Sequence, residues 1–177
     1  MPMSEADNTG HVLFTDTVTV ETPLRLRVIV GCLPAGALDQ AERVLQWITV
    51  IEERRGEDGE QAAGPALRRI EAKLDLALHL LAQALPDPGT LPLQTVRISP
   101  RGLRLEATDV GADRALLHWQ PSDGLPVSLK LPVRLLGKEG GHHCDWAFDA
   151  LGPALEEAIE RQVFRLHRRW RAQQRGI

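Results

Sequence analysis

The sequence contains no tyrosine and only three phenylalanines, so the aromatic platforms on which single-stranded nucleic acids stack are scarce. Its two cysteines, Cys32 and Cys144, lie far apart and form neither a CxxC pair nor a disulfide framework. No apolar run approaches the ~18 residues of a membrane-spanning helix, and the start Met1-Pro-Met-Ser-Glu5 lacks the basic residues that open a secretion signal. These absences together lead us to expect a soluble protein of a reducing cytoplasm. The common catalytic kits are missing as well. The chain has no GxxxxGK[ST], GxGxxG, HExxH or GxSxG, so phosphate loops, zinc-protease helices and hydrolase elbows are unsupported, and no enzyme is expected.

What is present is a chain of 177 residues, 43% of them hydrophobic and 25% charged, enough to build a packed core. The net charge of −3 is unevenly spread. Residues 1–62 balance to −6, residues 63–155 to zero, and residues 156–177 to +3 with six arginines. Such a balance disfavours a general nucleic-acid binder, although the basic end could meet phosphates or an acidic partner locally.

Four segments follow from the local patterns. Residues 1–10 read as a disordered lead. Residues 11–36 form an N-terminal strand segment rich in β-branched residues, with a turn expected at Glu21-Thr-Pro23. Residues 37–88 read as a helical hairpin. In its first helix Leu38, Ala41, Leu45 and Ile48 recur at 3–4–3 spacing. Its second begins near Pro65, a residue suited to a first helical turn, and repeats Leu67, Ile70, Leu74, Ala77, Leu81 and Ala84 at 3–4–3–4–3, widened by Leu78 and Leu85. Two readings of these stripes are open: helices lying on their own core, or a heptad seam shared between copies. Residues 89–177 return to short strands at 94–98, 103–107, 115–119, 127–131, 133–136 and 145–148, then close with a helix from Pro153 to about Gln174. Closely spaced strands with turn signals suggest a small barrel.

Three clusters could carry chemistry. His142-His143-Cys144 has metal-ligand and nucleophile residue types, but neighbours in a strand point to opposite faces and no second ligand pair stands at metal-site spacing. We expect no metal there. Arg161, Arg165, Arg168, Arg169, Arg171 and Arg175 make a basic C-terminal helix. The third cluster is Val96-Arg-Ile-Ser-Pro-Arg-Gly102, a strand and turn in which Ser99 supplies a hydroxyl, Arg97 and Arg101 supply planar cations, and Gly102 permits positive φ.

Taken in order, these features resemble a PilZ domain, and more specifically the atypical, tetrameric PilZ group. Ser99 and Gly102 match the family's [DN]-x-S-x-x-G hairpin. The run Gly124–Pro132, the strand around Trp146-Ala-Phe148 and the helix Leu155–Arg171 sit where the family places its equivalents. The resemblance implies an α+β fold: a six-stranded PilZ-like β-barrel with a C-terminal helix, preceded by an N-terminal strand segment and two long heptad-bearing helices. It also implies a homo-tetramer, with Leu38, Leu45, Ile48, Leu67, Ile70, Leu74, Ala77, Leu78, Leu81 and Leu85 as interface candidates.

PilZ domains commonly sense cyclic di-GMP, clamping its phosphates with an arginine pair just before the barrel through charge-assisted bonds worth ~1.5–3 kcal/mol each. Here the segment Pro86–Pro92 contains no arginine, and Arg97 stands in the Asp/Asn position. The resemblance therefore implies a signalling adaptor in cyclic di-GMP-linked control of motility, pili or surface behaviour, meeting an unidentified signalling or pilus protein. A receptor with an altered site at Arg97, Ser99, Arg101 and Gly102 is the alternative. A metal or enzymatic role for His142, His143 and Cys144, and nucleic-acid binding by the C-terminal arginines, rank after both.

Overall fold

The computed structural model describes residues 11–57, 70, 74, 91–106, 111–122, 127–139 and 142–175. Six strands form a closed antiparallel barrel: β1 (Val20–Ile29), β2 (Leu93–Ser99), β3 (Gly102–Glu106), β4 (Arg114–Gln120), β5 (Leu129–Glu139) and β6 (His143–Phe148), in the spatial order β1-β2-β3-β6-β5-β4. One face of each strand alternates inward, so Leu26, Val96, Ile98, Leu103, Leu105, Leu117, Trp119, Leu131, Val133 and Trp146 are buried to 1% exposure or less. Closure leaves no exposed edge along which copies could pair.

The strand count matches expectation, but its membership differs in two places, both at prolines. Within the segment expected at 11–36, Val20–Ile29 is no separate appendage, since as β1 it closes the barrel between β2 and β4. It runs straight through Pro23, where a turn was expected. Pro23 pairs with Thr95 of β2, while pairing with β4 begins only at Arg25. The missing N–H thus falls where β1 has one neighbour, a position that tolerates proline. Likewise 127–131 and 133–136 merge into β5 through Pro132, which sits opposite Leu116 of β4 just before pairing with β6 starts at Val133. The Pro132 carbonyl accepts from the Asp149 N–H at 3.0 Å.

A third difference concerns residues 11–14, read as strand. They form a single helical turn, α1 (His11–Phe14), closed by Asp16 in the left-handed region at φ 55°. Local β-branched chemistry loses here to tertiary contacts set out below.

Two long helices cover the barrel. α2 (Ala37–Glu57) packs on α3 (Pro153–Arg175) and on β5, and α3 also contacts β1 and β2. Ala41, Val44, Leu45 and Ile48 join Leu155, Ala158, Ile159 and Val163 in the same core as the barrel. Each fully buried Leu or Ile contributes about 1.5–3 kcal/mol. α3 starts at Pro153 after Gly152 (φ 82°), whose carbonyl accepts from the Glu156 N–H. Buried Gln162 donates to the Pro121 carbonyl at 3.0 Å and pins α3 to the end of β4.

Candidate functional site

The β2–β3 hairpin brings together Arg97, Ser99, Arg101 and Gly102 as the sequence suggested. Ser99 pairs with Gly102 across the turn, and Arg97 stands opposite Arg104. The role expected of Gly102 needs correction. It lies in ordinary strand conformation, outside the positive-φ glycines. What requires glycine is proximity: a Cβ would lie 2.2 Å from the Trp146 carbonyl oxygen and 2.9 Å from the Ala147 Cα, both backbone atoms of β6. Gly102 lets β3 and β6 close against each other.

Ser99 is fully buried, and its hydroxyl donates to the Leu13 carbonyl at 2.7 Å while accepting from the Arg101 N–H at 3.2 Å. The Arg101 guanidinium donates through Nη1 to the Val12 carbonyl at 3.1 Å and the Thr15 carbonyl at 3.4 Å. Leu13 is buried, with a methyl 3.1 Å from where a Gly102 side chain would begin. Phe14 completes the cap. Its ring centroid lies 4.7 Å from the Arg97 guanidinium carbon and 5.4 Å from that of Arg104, within cation–π range. Arg104 also forms a two-pronged pair with Asp145 of β6, at 2.6 and 2.8 Å. Three arginines thus surround the turn, and α1 lies over it.

The sequence reading missed Leu13, Phe14, Arg104 and Asp145. Asp145 follows the His142-His143-Cys144 cluster directly, and its carboxylate serves Arg104. Phe14 had one available signal, as one of only three phenylalanines in the chain, placed where no core was expected.

The His142-His143-Cys144 cluster divides. Both histidines are exposed and Cys144 is buried in the core, as alternation along a strand dictates. No group of three His, Cys, Asp or Glu side chains able to hold a metal occurs among the described residues. Elsewhere on the barrel wall, Arg27, His118 and Lys130 stand side by side across β1, β4 and β5. His118 is held below its ordinary value by burial first, then by Lys130 and Arg27.

The interface candidates also divide. Leu45 and Ile48 are 0% and 1% exposed, and Leu38 packs on the same core. Leu45 and Ile48 are covered within one copy by α3 and the barrel, so they are unavailable to a second copy, while Leu38 is half-buried. Ile70 and Leu74 are helical, one turn apart, and 61% and 59% exposed. Leu67, Ala77, Leu78, Leu81 and Leu85 lie outside the described residues. Trp47, which the sequence reading did not single out, is 64% exposed on α2. No helix among the described residues is long and apolar enough to cross a membrane.

Comparison with known proteins fits this geometry. Residues 45–176 match the family described as "Atypical PilZ domain, cyclic di-GMP receptor". A solved structure of a pathogenic protein from Xanthomonas campestris, described as a tetrameric PilZ domain self-assembled via an unusual helical bundle, is 34% identical. The match covers 94% of this chain and 97% of that one, with a TM-score of 0.77. No curated protein matches significantly.

Proposed function

Because the chain belongs to the atypical PilZ domain family, we propose that it is a non-enzymatic signalling adaptor of the cytoplasm, acting in cyclic di-GMP-linked control of motility, pili or surface behaviour. It presents its barrel on a homo-tetramer built through the second helix of the 37–88 region, and its work is contact with an unidentified signalling or pilus protein. The observation that carries this reading is the exposure of Ile70 and Leu74 at helical spacing. Two large aliphatic side chains on one face, each about 60% exposed, belong to a seam that another copy covers. The tetrameric, helix-bundled Xanthomonas protein supports the same assembly, and the flanking leucines Leu67, Leu78, Leu81 and Leu85 with Ala77 would extend the stripe.

Light scattering on Leu74→Glu and Ile70→Glu variants tests it. The double variant is expected to fall to single chains while its circular dichroism keeps the barrel signature, and retention of the wild-type mass rejects the seam.

A second reading, a cyclic di-GMP receptor with an altered site, is favoured by one observation: Arg97, Arg101 and Arg104 converge on the hairpin, where charge-assisted bonds to phosphate are available. Arg101 and Ser99 already donate to α1 in this structure, so nucleotide binding by the intact chain is weak. Calorimetric titration of cyclic di-GMP checks it. Binding that Arg101→Ala abolishes supports a receptor, and silence at ~100 µM ligand both in the intact chain and in a chain whose α1 contacts are removed, where even a weak site of about −5.5 kcal/mol would register, rejects it.

A further inference from the structure

A four-residue helix does not form by itself, since one turn cannot offset the cost of nucleation. α1 exists because the hairpin holds it, and the holding groups are of two kinds. Hydrogen-bond donors, the Ser99 hydroxyl and the Arg101 guanidinium, meet the carbonyl oxygens of Val12, Leu13 and Thr15. Flat cations, Arg97 and Arg104, lie against the ring of Phe14. An aromatic plane flanked by oxygen acceptors, facing guanidiniums and a hydroxyl, is the pattern a nucleotide presents. A base would replace the phenyl ring, and phosphate oxygens would replace the carbonyls. A phosphate would also hold Arg101 more firmly than α1 does, because its Nη1 meets the carbonyl oxygens of Val12 and Thr15 one at a time, whereas arginine–phosphate pairs form two parallel bonds and gain strength from it.

We propose that residues 11–16 are a built-in competitor for the hairpin: an autoinhibitory clasp that imitates a phosphate-bearing purine ligand and must lift before such a ligand can enter. The proposal rests on the receptor reading above. Its energetics are those of a binding-competent state that is only fractionally populated. If about one chain in ten has the clasp lifted, apparent affinity is about ten-fold below that of an open hairpin. Among residues 12–16 Leu13 alone is buried, and Asp16 is the hinge in the left-handed region; segments with little buried apolar surface open at low free energy. Beyond Asp16 the chain enters the barrel wall at Val20, so lifting the clasp leaves every strand paired.

The test is titration of cyclic di-GMP into the full chain and into a full-length Leu13→Asp/Phe14→Ala variant, with Phe14→Ala alone as a milder second. Released variants are expected to bind about ten-fold tighter or more, and adding Arg101→Ala to the released background should remove the gain. Equal, measurable affinity in intact and released chains overturns the clasp while leaving the receptor reading standing. Absence of binding in both sinks the receptor reading and the clasp with it. If neither variant folds, α1 is a fixed part of the core and the clasp falls. The tetramer is measured independently and is untouched by any of these outcomes.

Discussion

α2 and the helix carrying Ile70 and Leu74 have the same kind of apolar text, leucine and isoleucine at alternating spacings of three and four, yet they meet opposite fates. Leu45 and Ile48 on α2 disappear beneath α3 and the barrel, while Ile70 and Leu74 keep about 60% of their surface. A heptad stripe tells that a face will be covered; it does not tell by which molecule. The hairpin repeats the α2 solution in polar form, since the Ser99 hydroxyl, the Arg101 guanidinium and the Arg104–Asp145 pair find their partners within the same copy.

The contrast can be broken experimentally, because needs met within one copy respond to mutation differently from needs met between copies. Leu45→Ala is expected to cost about 3–4 kcal/mol, read as a lower urea midpoint that is the same at every protein concentration. Leu74→Glu should instead remove the concentration dependence of the melting temperature, the mark of a fold linked to assembly. If the two variants behave alike, the distinction between the stripes is wrong.

Gly102→Ala comes next, at about 3 kcal/mol. Its methyl group would meet the β6 backbone, which cannot rotate away as a side chain could. A loss well under 1 kcal/mol in denaturant titration would show that close approach is not why glycine stands there. Asp145→Ala should cost about 2 kcal/mol, since it leaves the half-buried Arg104 guanidinium without its two-pronged partner. That loss too should be independent of concentration.

The smallest effect is expected at His118. Its folded-state value lies below its ordinary one of 6.5, so the unfolded chain binds the proton more readily. Stability is therefore full above about pH 6.5 and declines as pH falls below it toward the lower folded value. His118→Gln should flatten that part of the profile, read as urea midpoints at pH 7.5 and 5.5. An unchanged slope would mean that Lys130, Arg27 and burial do not govern this group.

Much of the barrel was legible in the sequence because alternation and turn signals are local: β2, β3, β4 and β6 fall within two residues of their expected bounds, and α3 begins at the expected Pro153. Pro23 and Pro132 misled because a proline's cost depends on whether its missing N–H faces a neighbour, and strand order is not a local property. The hairpin residues were found from the short motif around Ser99 and Gly102. Their partners were not, since Ser99 and Leu13 are 86 positions apart in the chain and no periodicity links them. Propensity pointed to a strand at residues 11–14, and it is the distant hairpin, through the donors of Ser99 and Arg101 and the guanidiniums against Phe14, that holds a helical turn there.

The most direct test of the central claim is the mass of the purified wild-type chain by multi-angle light scattering at micromolar concentration. A particle of four chains, each 19.6 kDa, that separates on Ile70→Glu/Leu74→Glu substitution is the predicted result. A wild-type particle of one chain's mass would contradict it.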